Sequence, residues 1–128
     1  MRLLLDTHAL IWWFLDDPKM TAAAEAAIGS AEAEVFVSAI SAFEIVSKLR
    51  LGKRPQVAFL TANLQDMIEG EGFACLPLSL PHARLAGSLP FEHRDPFDRL
   101  LIAQAITEEL VLVSNERLFD QTGVQRLW

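Results

Sequence analysis

The sequence predicts an α/β protein in three layers, α/β/α, with a central parallel sheet of four to five strands. Three observations lead there. Short strand-like runs alternate with helical segments along the chain, and consecutive strands joined by helices lie parallel. The first run, Arg2-Leu-Leu-Leu-Asp6, is apolar with an acidic end, as in a strand covered on both faces. The chain has 128 residues, 52% of them hydrophobic and 22% charged, which suits one layer set and a single domain over 1–128.

The elements follow in order. Thr7 to Leu15 is too apolar for a surface loop and reads as a helix, stopped at Asp17-Pro18 because proline biases its predecessor to extended backbone. Thr21 is a good N-cap for an alanine-rich helix to Ile28. Glu34 to Ser38 is the second strand, and Ser41 to Leu51 a helix closed by Gly52. After the basic turn Gly52-Lys-Arg-Pro55, Leu60, Leu64, Met67 and Ile68 repeat at helical spacing, giving one helix from Val57 to Glu71. Phe73 to Leu78 is the third strand, Pro81 to Leu89 a short helix, and Leu100 to Leu110 a further helix. Val111 to Ser114 is the fourth strand, Glu116 to Gln121 a short helix, and Gln125 to Trp128 a final strand.

Composition narrows the function. Seventeen acidic against eleven basic side chains give a formal charge of −6, so bulk charge does not attract nucleic acid. Any such binding needs a local basic patch or metal ions. The one cysteine, Cys75, cannot form an intramolecular disulfide. Leu3-Leu4-Leu5 is broken at once by Asp6, and no apolar run spans a bilayer, so the expectation is a cytoplasmic protein without membrane contact.

In parallel α/β sheets the site lies beyond the carboxyl ends of the strands. Asp6 ends the first strand, Glu44 lies on the helix after the second, Asp95 and Asp98 open the helix before the fourth, and Glu116 follows the fourth. Carboxylates gathered on one edge repel unless protonated or neutralised. Hard divalent cations such as Mg²⁺ or Mn²⁺ take such oxygen ligands and activate water for attack on a phosphodiester.

The segments Leu-Leu-Leu-Asp6-Thr-His, Ser41-Ala-Phe-Glu44-Ile, Arg94-Asp-Pro-Phe-Asp98-Arg-Leu-Leu-Ile-Ala and Leu112-Val-Ser-Asn-Glu116-Arg resemble, in that order, the acidic motifs of PIN-domain ribonucleases. Among these the chain is similar to the VapC-type toxins of bacterial type II toxin–antitoxin pairs. The resemblance implies a PIN-like fold and a Mg²⁺- or Mn²⁺-dependent endoribonuclease acting on structured RNA. It also implies a cognate antitoxin and a homodimer. It assigns catalysis and metal ligation to Asp6, Glu44, Asp98 and Glu116. Glu116 stands where the family usually has Asp, so direct or water-mediated ligation stays open.

Each residue also has a plainer reading. Asp6 and Asp95 are suited to cap helices, and Asp95-Pro-x-Asp98 fits an N-cap with proline at N1 and an acid at N3. Glu44 precedes Lys48 by four residues, the spacing of a surface ion pair. Ile40, Phe43 and Val46 are expected to mark the buried side of that helix. Ser114, Asp95 and Asn115 are supporting candidates, Ser114 either at a metal-bound water or as a cap. His8 and His93 either assist catalysis or bond backbone. Trp12, Trp13, Phe14 and Leu15 read as core or dimer contact rather than a base-stacking platform. Lys48, Arg50, Lys53 and Arg54 form the one concentrated basic segment, either solvated charge or, beside the Glu44 helix, the place to seek RNA phosphate contact; Arg94, Arg99 and Arg117 next to the acidic motifs are the other candidates.

Three other classes compete. A phosphoacceptor receiver needs a paired acidic patch near the N-terminus and a late lysine, and neither is present. An aspartyl-phosphate phosphatase needs a second Asp two residues after Asp6, where His8 stands. A non-catalytic PIN-like interaction domain is the remaining alternative, and Glu116 in place of Asp is the feature that favours it.

Overall fold

The computed structural model describes residues Met1–Trp128. The strands are β1 (Arg2–Leu5), β2 (Glu34–Ser38), β3 (Ala74–Leu76), β4 (Val111–Val113) and β5 (Arg126–Leu127). They form one sheet in the order β3-β2-β1-β4-β5, every neighbouring pair parallel. Parallel neighbours need crossovers. Helices α1 (Thr7–Leu15) and α2 (Ala22–Gly29) join β1 to β2, and α3 (Ala39–Arg50), α4 (Ala58–Ala62) and α5 (Leu64–Gly70) join β2 to β3. Helices α6 (Leu80–Ser88) and α7 (Pro96–Thr107) lead to β4, and a 3-10 helix at Arg117–Thr122 leads to β5.

Alternation along β1 divides the core between the two faces. Leu3 and Leu5 pack with Leu10, Ile28, Ile45 and Leu60 on one face. Leu4 packs with Leu101, Ile102, Leu112 and Phe119 on the other. All three leucines are fully buried, as the unbroken apolar run requires of a central strand.

Several expectations need correction. Helix α3 starts at Ala39 because Ser38 ends β2 and at once caps the helix, its Oγ accepting from the Ile40 N–H at 3.0 Å. That phase turns Ile40, Ser41, Glu44 and Ile45 inward and leaves Phe43 and Val46 exposed, so these two do not mark the buried face. The single helix over Val57 to Glu71 is instead a 3-10 turn (Pro55–Val57), α4 and α5. The break falls at Asn63 (φ −137°, ψ 41°), a residue of low helix propensity, while Leu60 and Ile68 both remain in the core. Helix α7 starts at Pro96 with Asp95 as its cap, as the Asp95-Pro-x-Asp98 pattern predicts, so only the bound at Leu100 moves. The segment after Glu116 is 3-10 rather than α.

Candidate active site

The chain leaves β1 toward β2 on one side, while β4 lies against its other side, which opens a crevice at the carboxyl edge. A cavity of about 160 Å³ occupies it. Five carboxylates line this cavity: Asp6, Glu44, Asp95, Asp98 and Glu116. Thr7, His8, Lys48 and Asn115 are also in its wall, and Phe119 is its one apolar side. All four predicted catalytic acids therefore meet in one place.

For Asp6 and Glu44 the plain and the functional readings hold together. Asp6 caps α1, its Oδ1 accepting from the Ala9 N–H at 2.8 Å, yet it is buried in the cavity wall. Glu44 pairs with Lys48 (Oε2 to Nζ, 3.0 Å) while its Oε1 accepts from the Thr7 hydroxyl at 2.8 Å. That hydroxyl also lies 3.0 Å from Ser41 Oγ, so Thr7 ties α1 to α3 beside the acids.

Asp95 is the N-cap of α7, accepting from the Phe97 N–H at 2.9 Å, and it stays exposed. Asp98, at N3, accepts instead from His93 Nε2 at 2.6 Å. Glu116 caps the 3-10 helix through the Leu118 N–H (3.1 Å). Ser114 is fully buried and its Oγ accepts from the Glu116 N–H at 3.1 Å. Asn115 is exposed at the rim.

The electrostatics reflect crowding. Burial is the main cause that raises Asp6 to about 6; the Ser114 hydroxyl and the Ala9 amide oppose it, and Asp98 and Glu44 add to it. Asp98 is also raised, first by burial, against the His93 hydrogen bond. His8 is lowered by burial and then by the Arg54 and Lys48 charges. The donor set is carboxylate oxygen with hydroxyls behind it, the chemistry that hard divalent cations prefer, and the raised carboxyls are ones a cation would discharge. His93, Asp95 and Asp98 also offer ligand atoms within 4.8 Å of one another.

Basic candidates separate sharply. Lys48 is engaged with Glu44. Arg99 is turned away from the cavity: its guanidinium donates to the carbonyls of Ala86, Leu89, Phe91 and His93 and ties down the segment before α7, so it is not free for RNA phosphate. Arg94 and Arg117 are exposed. Trp12 is core, packed on Trp128, as expected for the aromatic stretch.

A family model described as PIN domain matches residues 3–125. The chain is a PIN-domain protein. It is similar to Ribonuclease VapC22 of Mycobacterium tuberculosis (strain ATCC 25618 / H37Rv), 35% identical over 116 residues that cover 89% of this chain and 86% of that one. Among solved structures, VapBC2 from Rickettsia felis bound to a DNA fragment from its promoter matches at TM-score 0.75 and 16% identity, covering 99% of this chain and 98% of that one. FitAcB from Neisseria gonorrhoeae matches at TM-score 0.64 and 24% identity, covering 98% and 96%. At these identities the structures establish the shared fold, which is the five-stranded α/β arrangement above.

Three residues of this PIN domain acquire roles that sequence reading did not assign. Thr7 bridges Glu44 and Ser41, His93 holds Asp98, and Arg54 bonds His8. Thr7 carried a signal, since it follows an acid at a strand end in the first motif. The other two contacts join residues through tertiary packing: in the sequence His8 and His93 stand out only as neighbours of the acids, and Arg54 only as part of the basic segment.

Proposed function

We propose that this chain is a metal-dependent endoribonuclease that hydrolyses RNA phosphodiester bonds, the toxin of a toxin–antitoxin pair inhibited by its cognate antitoxin. It works in the cytoplasm as a homodimer, each chain a single PIN domain over residues 1–128. The observation that carries the reading is the convergence of Asp6, Glu44, Asp98 and Glu116 in one small cavity at the sheet edge. These four are its catalytic residues and metal ligands, supported by Ser114, Asp95 and Asn115. These residues would hold Mg²⁺, or Mn²⁺ in its place, which would supply charge neutralisation and polarise a water so that it gives up its proton more readily and becomes a better nucleophile.

The chain's own groups set the geometry. The Ala9 amide fixes one Asp6 oxygen, Thr7 and Lys48 fix both Glu44 oxygens, and His93 orients Asp98. Phe119 closes the apolar side against bulk water. The test is cleavage of total cellular RNA with Mg²⁺ or Mn²⁺, with chelator and Asp6→Asn as controls. Expression of the wild-type chain without its partner is expected to arrest growth. A folded wild-type chain that cuts no RNA with either metal would support the non-catalytic interaction domain instead.

A further inference from the structure

We propose that Arg54 is the arm that holds an RNA backbone phosphate at the rim of the acidic cavity, and that His8 is the positioning residue that aims it. The inference rests on the ribonuclease reading and adds to it the group that secures the substrate.

A cavity walled by five carboxylates repels a polyanion, so a cation must face the incoming backbone. Two nearby cations are committed, Lys48 to Glu44 and Arg99 to backbone carbonyls, and Arg94 and Arg117 are exposed without a contact to a cavity residue. Arg54 differs. It lies in the turn before the 3-10 helix at Pro55–Val57, and no carboxylate lies within ion-pair distance of it, whereas Arg2 and Arg126 each have one. Its Nη2 sits 2.8 Å from His8 Nε2, and His8 lines the cavity.

A guanidinium only donates, so His8 Nε2 accepts and the ring proton is on Nδ1. The remaining Arg54 donors are available for a bidentate phosphate contact, the geometry that arginine supplies best. His8 is itself held. Its ring packs on Trp12 at 5.4 Å, and Trp12 packs on Trp128 at 5.5 Å. Because His8 stands two residues after Asp6, in the first turn of the helix α1 that Asp6 caps, the arm is registered to the acid cluster through a rigid element rather than through its own turn. Pro55 also keeps the Arg54 backbone out of the helical region (φ −141°, ψ 68°).

The experiment uses an RNA oligonucleotide spanning a site that the wild-type chain cuts, with Mg²⁺, over a series of salt concentrations. Arg54→Gln is expected to raise KM about ten-fold, the loss falling on KM rather than kcat. Its slope of log KM against log salt should fall by about one, since one phosphate contact is gone. Arg54→Lys should restore the slope and only part of the affinity, because the charge returns without the fork. His8→Phe keeps the packing on Trp12 but offers no acceptor; KM should rise while the salt slope stays at the wild-type value. That split is one a merely structural histidine would not produce. Unchanged KM and slope in Arg54→Gln overturn the proposal, as does an equal fall in kcat tracking a lower Tm in both variants. Weaker capture of an inhibitory protein with unchanged RNA kinetics would assign Arg54 to that interface and also overturn it. A wild-type chain that cuts no RNA fails the ribonuclease reading first, which distinguishes the two failures.

Discussion

Two buried polar clusters sit near the carboxyl edge of the sheet, and they are built on opposite principles. Around His82, Gln104 and Ser38, every donor meets an acceptor. Ser38 Oγ donates to Gln104 Oε1 (2.5 Å), Gln104 Nε2 donates to the Pro77 carbonyl (3.3 Å), and His82 joins the Ser79 N–H (3.0 Å) to Glu108 (2.9 Å). Around Asp6, Glu44 and Asp98, carboxylates face one another and two are pushed upward. The first cluster is complete without a ligand, and it locks α6 and α7 to the end of β2. In the second, burial and like charge disfavour the ionised forms of Asp6 and Asp98, which protons or a counter-charge relieve. Neutral networks with matched donors and acceptors hold a fold, whereas crowded acids with raised pKa values of this kind mark where a cation and substrate act.

The largest expected effect breaks the second cluster. Asp6→Asn and Asp98→Asn should each lower RNA cleavage by on the order of 10³-fold or more, because one ligand charge is lost. Asparagine still caps, so α1 should survive in Asp6→Asn. Without metal both variants should melt at or above the wild-type temperature, since a charge disfavoured first by burial and then by neighbouring carboxylates is gone. A lower Tm in chelator for either would make that residue structural.

The pH dependence sharpens the same contrast. Folded Asp6 takes its proton near 6 and the unfolded side chain near 3.8, so the folded chain holds the extra proton between these values. Stability from this group is therefore present at low pH and lost as pH rises through about 6. In chelator, Asp6→Asn should gain on wild type by on the order of 2 kcal/mol between about pH 4.5 and pH 7. Saturating Mg²⁺ at neutral pH should close that gap. A gap independent of pH would show that the Asp6 carboxyl is not raised.

Breaking the satisfied cluster should do the reverse. Gln104→Leu strands the Ser38 hydroxyl, at a cost of about 2 kcal/mol, a drop of several degrees in Tm. Cleavage at a temperature where the variant is folded should change little. A large activity loss with an unchanged Tm would mean that the network positions the site.

Legibility followed distance along the chain. Asp6, Glu44, Asp98 and Glu116 could be found because Asp6 and Glu116 lie just past strand ends, Glu44 on the helix after β2 and Asp98 in a capping motif, and the strand order does the gathering. Arg99 and Phe43 misled for one reason. Each adjoins a site acid in sequence, but on a helix successive side chains diverge by about 100°. So Arg99 reaches the carbonyls behind α7, and Phe43 meets Phe97 at the surface (5.6 Å). His93 with Asp98 and His8 with Arg54 depend on how loops close, which no local pattern encodes. The break at Asn63 was hidden because Leu60, Leu64, Met67 and Ile68 keep helical spacing across it.

The smallest effect tests the line between the two principles inside a single helix start. Asp95 and Asp98 are three residues apart, yet Asp95 accepts from the Phe97 amide, whereas Asp98 accepts from His93. If Asp95 is chiefly a cap, Asp95→Ala should cost about 1 kcal/mol, and Asp95→Ser should recover most of it. Cleavage should fall modestly in Asp95→Ala, through a frayed helix start that displaces Asp98, and should return with the serine. Asp98→Ala should behave oppositely, with little change in Tm and nearly all activity gone. Losing an activated water costs several kcal/mol of transition-state stabilisation and losing a cap about one, so the two assignments separate cleanly. Cleavage rates and melting temperatures of the alanine variants, taken side by side, decide it. An Asp95→Ala chain as inactive as Asp98→Ala at an unchanged Tm would move Asp95 from the scaffold into the reacting site.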